Sequence, residues 1–171
     1  MESTESTESI KNIHTQKNFD IPRYLGRWYE IAKLGTIPFE KDCVFATADY
    51  SLLSASTNKL IIKNTCLDAN RDIIRVSVGE ARIPDMNDKS KLKVKFLEMP
   101  STILESNYYC YWTDYLNYSI VGSPGFEEVK YLWILSRRPT IPKEDIPFLL
   151  EKVKEFGYDP DLVMANSHVI Y

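Results

Sequence analysis

The stretch that decides the fold is Lys91-Leu92-Lys93-Val94-Lys95-Phe96, in which charged and apolar residues alternate strictly. Successive side chains of a β-strand point to opposite faces, so this stretch predicts a strand with three lysines on one face and three apolar side chains on the other. The lysine side chains favour exposure to solvent, whereas the apolar side chains favour burial. A sheet with one buried face is therefore predicted.

Similar alternation recurs along most of the chain and predicts an all-β protein. The other seven predicted strands span 27–34, 44–53, 59–67, 73–83, 108–112, 119–122 and 131–136. Turn-forming clusters such as Ser123-Pro124-Gly125 separate them, and connections this short favour antiparallel neighbours. Eight antiparallel strands can pack as a sandwich or close into a barrel, and the periodicity does not choose between the two.

The spacing of apolar residues changes near the C-terminus from that of a strand to that of a helix. Ile146, Leu149, Leu150 and Val153 are spaced to share one face of an α-helix, with charged residues on the opposite face. Gly157 is well placed to end this helix. The pattern predicts one amphipathic helix whose apolar face packs on the sheet.

Length and charge narrow the class of protein. A chain of 171 residues predicts one core, with a disordered polar tail over residues 1–15 and a single domain over 16–171. A formal net charge of −3 supplies no basic field for nucleic acid. The sequence shows neither a secretory signal nor an apolar run long enough to span a membrane, so a soluble, cytoplasmic protein is the expectation.

The cysteines and histidines give little sign of a disulfide framework or a metal site. Cys43, Cys66 and Cys110 are an odd number and form no CxxC pair, which predicts three reduced thiols and no disulfide. His14 and His168 are too few and too far apart in sequence for a zinc site. We therefore expect neither a metal ion nor another cofactor.

Three short motifs give the fold a family resemblance. They are Gly26-x-Trp28, then Thr113-Asp114-Tyr115-x-x-Tyr118, then Tyr131-Leu132-Trp133-Ile134-Leu135-Ser136-Arg137. Together they resemble the three motifs of the lipocalin family, in the family's order, and most closely the group of bacterial lipocalins, apolipoprotein D and plant temperature-induced lipocalins. The resemblance implies an eight-stranded antiparallel up-and-down β-barrel, with the C-terminal helix packed on its outside.

The resemblance also implies roles for the motif residues. Trp28 is expected to close one end of the barrel, and Arg137 to pack its guanidinium across the indole. Gly26, Thr113, Asp114 and Tyr115 are expected to be structural in the same way. Secreted relatives pair a cysteine at the position of Cys43 with one near the C-terminus, which this sequence lacks.

Strand parity relative to these motifs predicts which residues face a cavity inside the barrel. The predicted wall consists of Ala46, Ala48, Val94, Phe96, Tyr108, Cys110, Trp112, Tyr131, Trp133 and Leu135. The alternative is that these side chains simply fill the interior. The loop 35–41 is expected to overhang the mouth, with Phe39 either as a lid or packed within the loop itself.

An apolar cup with several phenol and indole groups suits a long hydrocarbon with a polar head. The expected function is to bind and carry a fatty acid, a lysophospholipid or a related lipid, as a monomer or weak dimer. One alternative is an enzyme of the same fold that uses Cys110 or Cys43 as a nucleophile, although no histidine lies in a predicted strand to activate it. Another is a barrel that acts mainly through membrane-surface or protein contacts.

Overall fold

The computed structural model describes residues 14–34, 40, 42–54, 57–98, 105–124 and 130–166. Eight antiparallel strands follow one another around a ring, and β1 closes it by pairing with both β2 and β8. The strands are β1 (Gly26–Leu34), β2 (Phe45–Ser54), β3 (Thr57–Leu67), β4 (Ile73–Arg82), β5 (Lys91–Phe96), β6 (Ser106–Thr113), β7 (Tyr118–Pro124) and β8 (Lys130–Ser136). The predicted up-and-down barrel is confirmed.

One end of the barrel is closed by the segment that precedes β1. A short helix, α1 (Ile21–Tyr24), begins after Asp20, whose side chain accepts a hydrogen bond from the Arg23 backbone N–H. Trp28 is fully buried behind it and donates its indole N–H to the Tyr24 carbonyl at 3.0 Å. Aromatic side chains therefore close this end, and any space for a ligand lies above them.

The alternation of β5 sorts its side chains as predicted. Leu92 and Val94 are buried in the core inside the barrel, and Phe96 packs against that core. Lys91 and Lys93 lie on the outer face, where the Lys91 ammonium pairs with Asp88 at 3.0 Å. The interior is thus apolar because every second residue of each strand enters it.

The predicted amphipathic helix is present as α2 (Ile146–Glu155), and it packs on the outside of the barrel. Its side chains Leu149 and Val153 are buried against Ile120, Leu132 and Ile134 of β7 and β8. Burying an aliphatic side chain of this size contributes about 1.5 to 3 kcal/mol. Gly157 follows with φ of +82°, and its N–H donates to the Lys154 carbonyl, which ends the helix as predicted.

A ninth strand, β9 (Val163–Ala165), was not predicted. It pairs antiparallel with the upper half of β1, from Ala32 to Leu34, on the edge that β2 does not cover. Asn166 extends the contact by donating its backbone N–H to the Ile31 carbonyl at 2.9 Å. The segment after α2 is therefore anchored by backbone pairing, which also covers an otherwise open strand edge.

The prediction of three reduced thiols is wrong, because Cys43 and Cys66 form a disulfide with their Cα atoms 5.2 Å apart. The β2–β3 hairpin brings them together, since Ala46 lies opposite Cys66 and the Val44 N–H donates to the Leu67 carbonyl. Cys110 is the free thiol. Disulfides are typical of oxidising compartments. The cytoplasmic location stays a prediction, but reduced thiols no longer argue for it.

Candidate ligand-binding cavity

A cavity of about 180 Å³ lies inside the barrel, above the closed end. All of the predicted wall residues except Cys110 and Trp112 line it. Those that do are Ala46, Ala48, Val94, Phe96, Tyr108, Tyr131, Trp133 and Leu135. The strand parities predicted for β2, β5 and β8 therefore hold, and whether these residues contact a ligand stays a prediction.

Residue size shapes this cavity. Ala46 and Ala48 of β2 leave space on one side, whereas Tyr131 and Trp133 of β8 form part of the wall, with ring centroids 6.1 Å apart. Further residues that sequence reasoning missed are Tyr50, Ile62, Asn64 and Val121. Tyr50 shares the parity of Ala46 and Ala48, so the same count extended by one step would have included it.

Cys110 points into the barrel but lies below the cavity, in the closed core. It is fully buried, and its sulfur lies 3.7 Å from the Ser119 hydroxyl oxygen. Burial raises the pKa of the Cys110 thiol to about 12, so the thiol is neutral at ordinary pH. No histidine lines the cavity in the described part of the chain. The Cys110 thiol is therefore not an activated nucleophile.

The prediction that Trp112 faces the cavity is wrong because a β-bulge interrupts β6. Cys110 lies opposite Val121 and Trp112 lies opposite Ile120, so Tyr111 is an extra residue in the ladder. After the bulge the parity reverses, and Trp112 lies on the outer face. Its ring packs edge-on against Phe148 of α2, with centroids 5.5 Å apart.

A chain of hydroxyl groups forms the floor of the cavity. The phenol oxygens of Tyr50 and Tyr108 are 2.8 Å apart, and those of Tyr108 and Tyr24 are 3.1 Å apart. The Tyr24 hydroxyl continues to Ser119 at 2.9 Å, and the Ser119 hydroxyl donates to the Trp112 carbonyl at 3.4 Å. Burial raises the pKa of both Tyr24 and Tyr108, so these phenols stay neutral.

A cluster of three charged residues lies beside the upper part of the cavity. The Lys33 ammonium lies 3.3 Å from a Glu30 carboxylate oxygen and 2.9 Å from one of Glu40. Both glutamates line the cavity, and Glu30 is buried. Glu40 is the one described residue of the predicted overhanging loop 35–41; residues 35–39 and 41, including the proposed lid residue Phe39, lie outside the described residues.

The pKa of Glu30 is raised to about 7. Burial is the largest cause and the negative charge of Glu40 is the next, whereas Lys33 opposes the shift. Burial alone would lower the pKa of Lys33, but the two carboxylates outweigh it and the pKa of Lys33 is raised. Sequence reasoning missed Glu30. The inward position of Trp28 two residues earlier on the same strand was the signal that could have found it.

Metal sites and membrane-spanning helices are absent from the described residues. Within the ranges given above, no group of three or more His, Cys, Asp or Glu side chains is arranged to hold a metal ion. No described helix has both the length and the apolar character that crossing a bilayer requires.

The fold and cavity agree with a comparison against known families. The family model of the lipocalin-like domain matches residues 19–168. This chain belongs to the lipocalin family. It is 37% identical over 139 residues to rat (Rattus norvegicus) apolipoprotein D, covering 78% of this chain and 69% of that protein. It is 33% identical to temperature-induced lipocalin-1 of Arabidopsis thaliana, covering 87% of this chain and 79% of that protein.

Solved lipocalin structures share the fold at low sequence identity. Insecticyanin from the tobacco hornworm Manduca sexta superposes with a TM-score of 0.76 at 19% identity, covering 94% of this chain and 90% of that one. Lobster apocrustacyanin A1 superposes with a TM-score of 0.67 at 15% identity, covering 95% of this chain and 85% of that one. At such identities the likeness concerns the barrel alone. The lipocalin family binds small hydrophobic ligands.

Proposed function

We propose that this lipocalin binds and carries one amphiphilic lipid, with its apolar chain in the barrel cavity. The observation that carries the proposal is the cavity wall, where Val94, Phe96, Trp133 and Leu135 supply apolar surface above a closed aromatic floor. Concave, mostly apolar sites with a few polar groups are typical of small-molecule binding.

Fatty acids and lysophospholipids are the ligands expected from the sequence, and the apolar wall supports both. Burial of a methylene contributes about 0.8 kcal/mol, so a ten-carbon chain gains roughly 8 kcal/mol before the costs of association. Micromolar binding requires about 8 kcal/mol after those costs, so contacts to the head group have to add to the burial of the chain. The head group then decides between ligands of equal chain length.

Binding without catalysis is the second part of the proposal. The thiol that the enzymatic alternative requires, Cys110, is buried beneath the cavity floor and neutral. The other thiol considered, Cys43, is held in the disulfide with Cys66. Besides apolar surface, phenols and amides, the cavity wall carries the carboxylates of Glu30 and Glu40, which pair with Lys33. We infer that such a wall retains a ligand rather than converting it.

Titration with a neutral probe tests this function. We expect 1-decanol to bind the parent protein saturably in isothermal titration calorimetry, and Ala48→Phe to weaken binding at least tenfold because the larger side chain occupies the cavity. Ala165→Phe is the matched control, since Ala165 is exposed on β9. Absence of saturable binding in the parent, or equal loss in both variants, would refute a ligand site inside the barrel.

A contact with lipid surfaces is a second candidate, favoured by exposed aliphatic residues at the open end. Ile73 at the start of β4 is 65% exposed and Leu97 after β5 is 62% exposed. Ile74 and Val76 are exposed nearby, and the Arg71 guanidinium lies 4.5 Å from the Phe45 ring centre at the same end. Apolar residues beside a cation suit an anionic membrane surface.

Vesicle co-sedimentation tests this second candidate. We expect the parent to bind vesicles that contain phosphatidylserine more than vesicles of phosphatidylcholine alone, and the double variant Ile73→Ser/Leu97→Ser to lose that binding. Leu116→Ser is the control, because Leu116 is equally exposed in the turn at the closed end. Binding lost equally in both variants, or absent in the parent, would rule out the open end as a membrane contact.

A further inference from the structure

The charges that line the cavity all have one sign among the described residues. Glu30 and Glu40 contribute carboxylates, and the described lining includes no lysine, arginine or histidine. Lys33 contacts both glutamates through its ammonium but is not part of that lining. Among the described residues of the lining, a ligand therefore meets acidic groups and no cation.

The three charges of this cluster do not balance. One ammonium lies between two carboxylates, so the fully ionised cluster carries one uncompensated negative charge in a partly buried place. Burial and the charge of Glu40 raise the pKa of Glu30, which means that part of this imbalance is removed by proton uptake. A cation from a ligand would remove it in the same way.

The hydroxyl chain at the floor also favours a ligand that donates hydrogen bonds. The chain ends on the Trp112 carbonyl, which can only accept, and Ser119 donates to it. With every proton directed towards that carbonyl, Tyr24 donates to Ser119, Tyr108 to Tyr24 and Tyr50 to Tyr108. The Tyr50 phenol, which lines the cavity, is then left with a free acceptor.

We propose that the cavity selects amphiphiles whose polar end is an ammonium group, with Glu30 and Glu40 as the residues that determine this specificity. The ligand class is a single apolar chain that carries a protonated amine. The inference rests on the proposed function, because it concerns which lipid enters the same cavity. A carboxylate head, as in a fatty acid, would enter beside two carboxylates and is selected against.

Three ligands with the same chain isolate the effect of the head group. Decylamine, 1-decanol and decanoate each carry ten carbons, and their heads are cationic, neutral and anionic at pH 8. We expect the dissociation constant of decylamine to be at least tenfold lower than that of decanoate, with 1-decanol between them. Calorimetry below the concentration at which these amphiphiles aggregate measures all three directly.

Charge-removing variants assign the preference to the two glutamates. We expect Glu30→Gln to weaken decylamine about tenfold, to change 1-decanol less than twofold and to strengthen decanoate, because Lys33 and Glu40 then form a neutral pair. Glu40→Gln should act in the same direction. Glu80→Gln is the matched control, since Glu80 lies on the outer wall, where it pairs with Lys59 at 3.9 Å.

The pH dependence gives an independent readout. Two charged groups face Glu30, namely Lys33 on its own strand and Glu40. The titratable groups across the cavity are the phenols of Tyr50 and Tyr108. Burial raises the pKa of both phenols. Tyr131 on β8 is a further phenol of the wall. Decylamine should bind about tenfold more tightly at pH 8 than at pH 5.5, with loss of this difference in Glu30→Gln.

The outcomes separate the specificity from the function on which it rests. If 1-decanol binds but decanoate binds as well as decylamine, or if Glu30→Gln keeps the parent's order of affinities, the ammonium preference is wrong and the hydrophobic cavity stands. If none of the three ligands binds saturably, both the proposed function and the preference are overturned.

Discussion

The guanidinium carbon of Arg137 lies 3.7 Å from the centre of the Trp28 ring. The same guanidinium donates hydrogen bonds to four backbone carbonyls, those of Arg23, Tyr24, Arg27 and Tyr115. One side chain thus ties the residue after β8 to α1, to β1 and to the turn after β6. Gly26 lies beside the guanidinium, and its φ of +96° is a backbone conformation that favours glycine.

Replacing Arg137 with alanine should lower the free energy of unfolding by about 1 to 3 kcal/mol, since four backbone carbonyls, two of them partly buried, lose a partner and the indole loses its cover. Affinity for 1-decanol in the folded fraction should change little, because Arg137 does not line the cavity. Denaturant unfolding beside calorimetric titration measures both quantities.

Arg82→Ala is the control for that experiment. Arg82 makes a bidentate pair with Glu105 on the exposed outer wall, and such pairs contribute little to stability. A loss of binding without loss of stability in Arg137→Ala would contradict the structural role of the pair with Trp28.

Thiol counting should give one reactive cysteine per denatured chain before reduction and three after it, because Cys43 and Cys66 are paired. The disulfide spans a sequence separation of 23 residues, for which the chain-entropy model predicts about 3 kcal/mol of stabilisation. Reduction should lower the melting temperature of the parent and leave that of Cys43→Ser/Cys66→Ser unchanged. Three thiols that react before reduction would show that the bridge is absent.

Stability should depend on the ionisation of Glu30. Its folded pKa, about 7, lies above its ordinary value of 4.5, so the folded state holds a proton that the unfolded state releases. The contribution to the free energy of unfolding is complete below pH 4.5 and is lost as pH rises through 7, on the order of 3 kcal/mol. Glu30→Gln should flatten this slope between pH 5 and 8, whereas Glu80→Gln should retain it. An unchanged slope in Glu30→Gln would contradict the assignment.

Trp112 and Trp133 should respond differently to ligand. Trp133 lines the cavity, whereas Trp112 packs against α2 on the outside. Binding of 1-decanol should therefore change the tryptophan fluorescence of the parent and of Trp112→Phe, and Trp133→Phe should lose most of the change. A response that follows Trp112 instead would place the ligand beneath the helix.

Most of the barrel could be predicted from the sequence because each strand has one buried and one wet face. The alternation in Lys91–Phe96 corresponds to β5, and the helical spacing from Ile146 to Val153 corresponds to α2. Periodicity alone did not predict that the sheet closes into a ring, since a sandwich shows the same alternation. The family motifs around Trp28 and Arg137 supplied that prediction.

The features that the sequence did not predict depend on register or on distant pairing. β9 has three residues, too few to show alternation. The Cys43–Cys66 bridge follows from the register of the β2–β3 hairpin, which the cysteine count does not contain. Trp112 was misplaced because parity counting assumes an unbroken ladder, and a bulge is invisible to it.

The extra residue in β6 adds an aromatic ring to the surface on which the helix docks. Tyr111 and Trp112 lie on the same face only because of it, and they present adjacent rings to Phe156 and Phe148. Deletion of Tyr111 would restore strict alternation and leave Trp112 on the outer face, directly after the inward-facing Cys110, but it would remove the ring that stacks on Phe156. The bulge therefore sets how many aromatic rings receive α2, and a change in chain length at this point alters the seat of the helix while the part of the cavity wall that β6 supplies, from Ser106 to Tyr108, keeps its register.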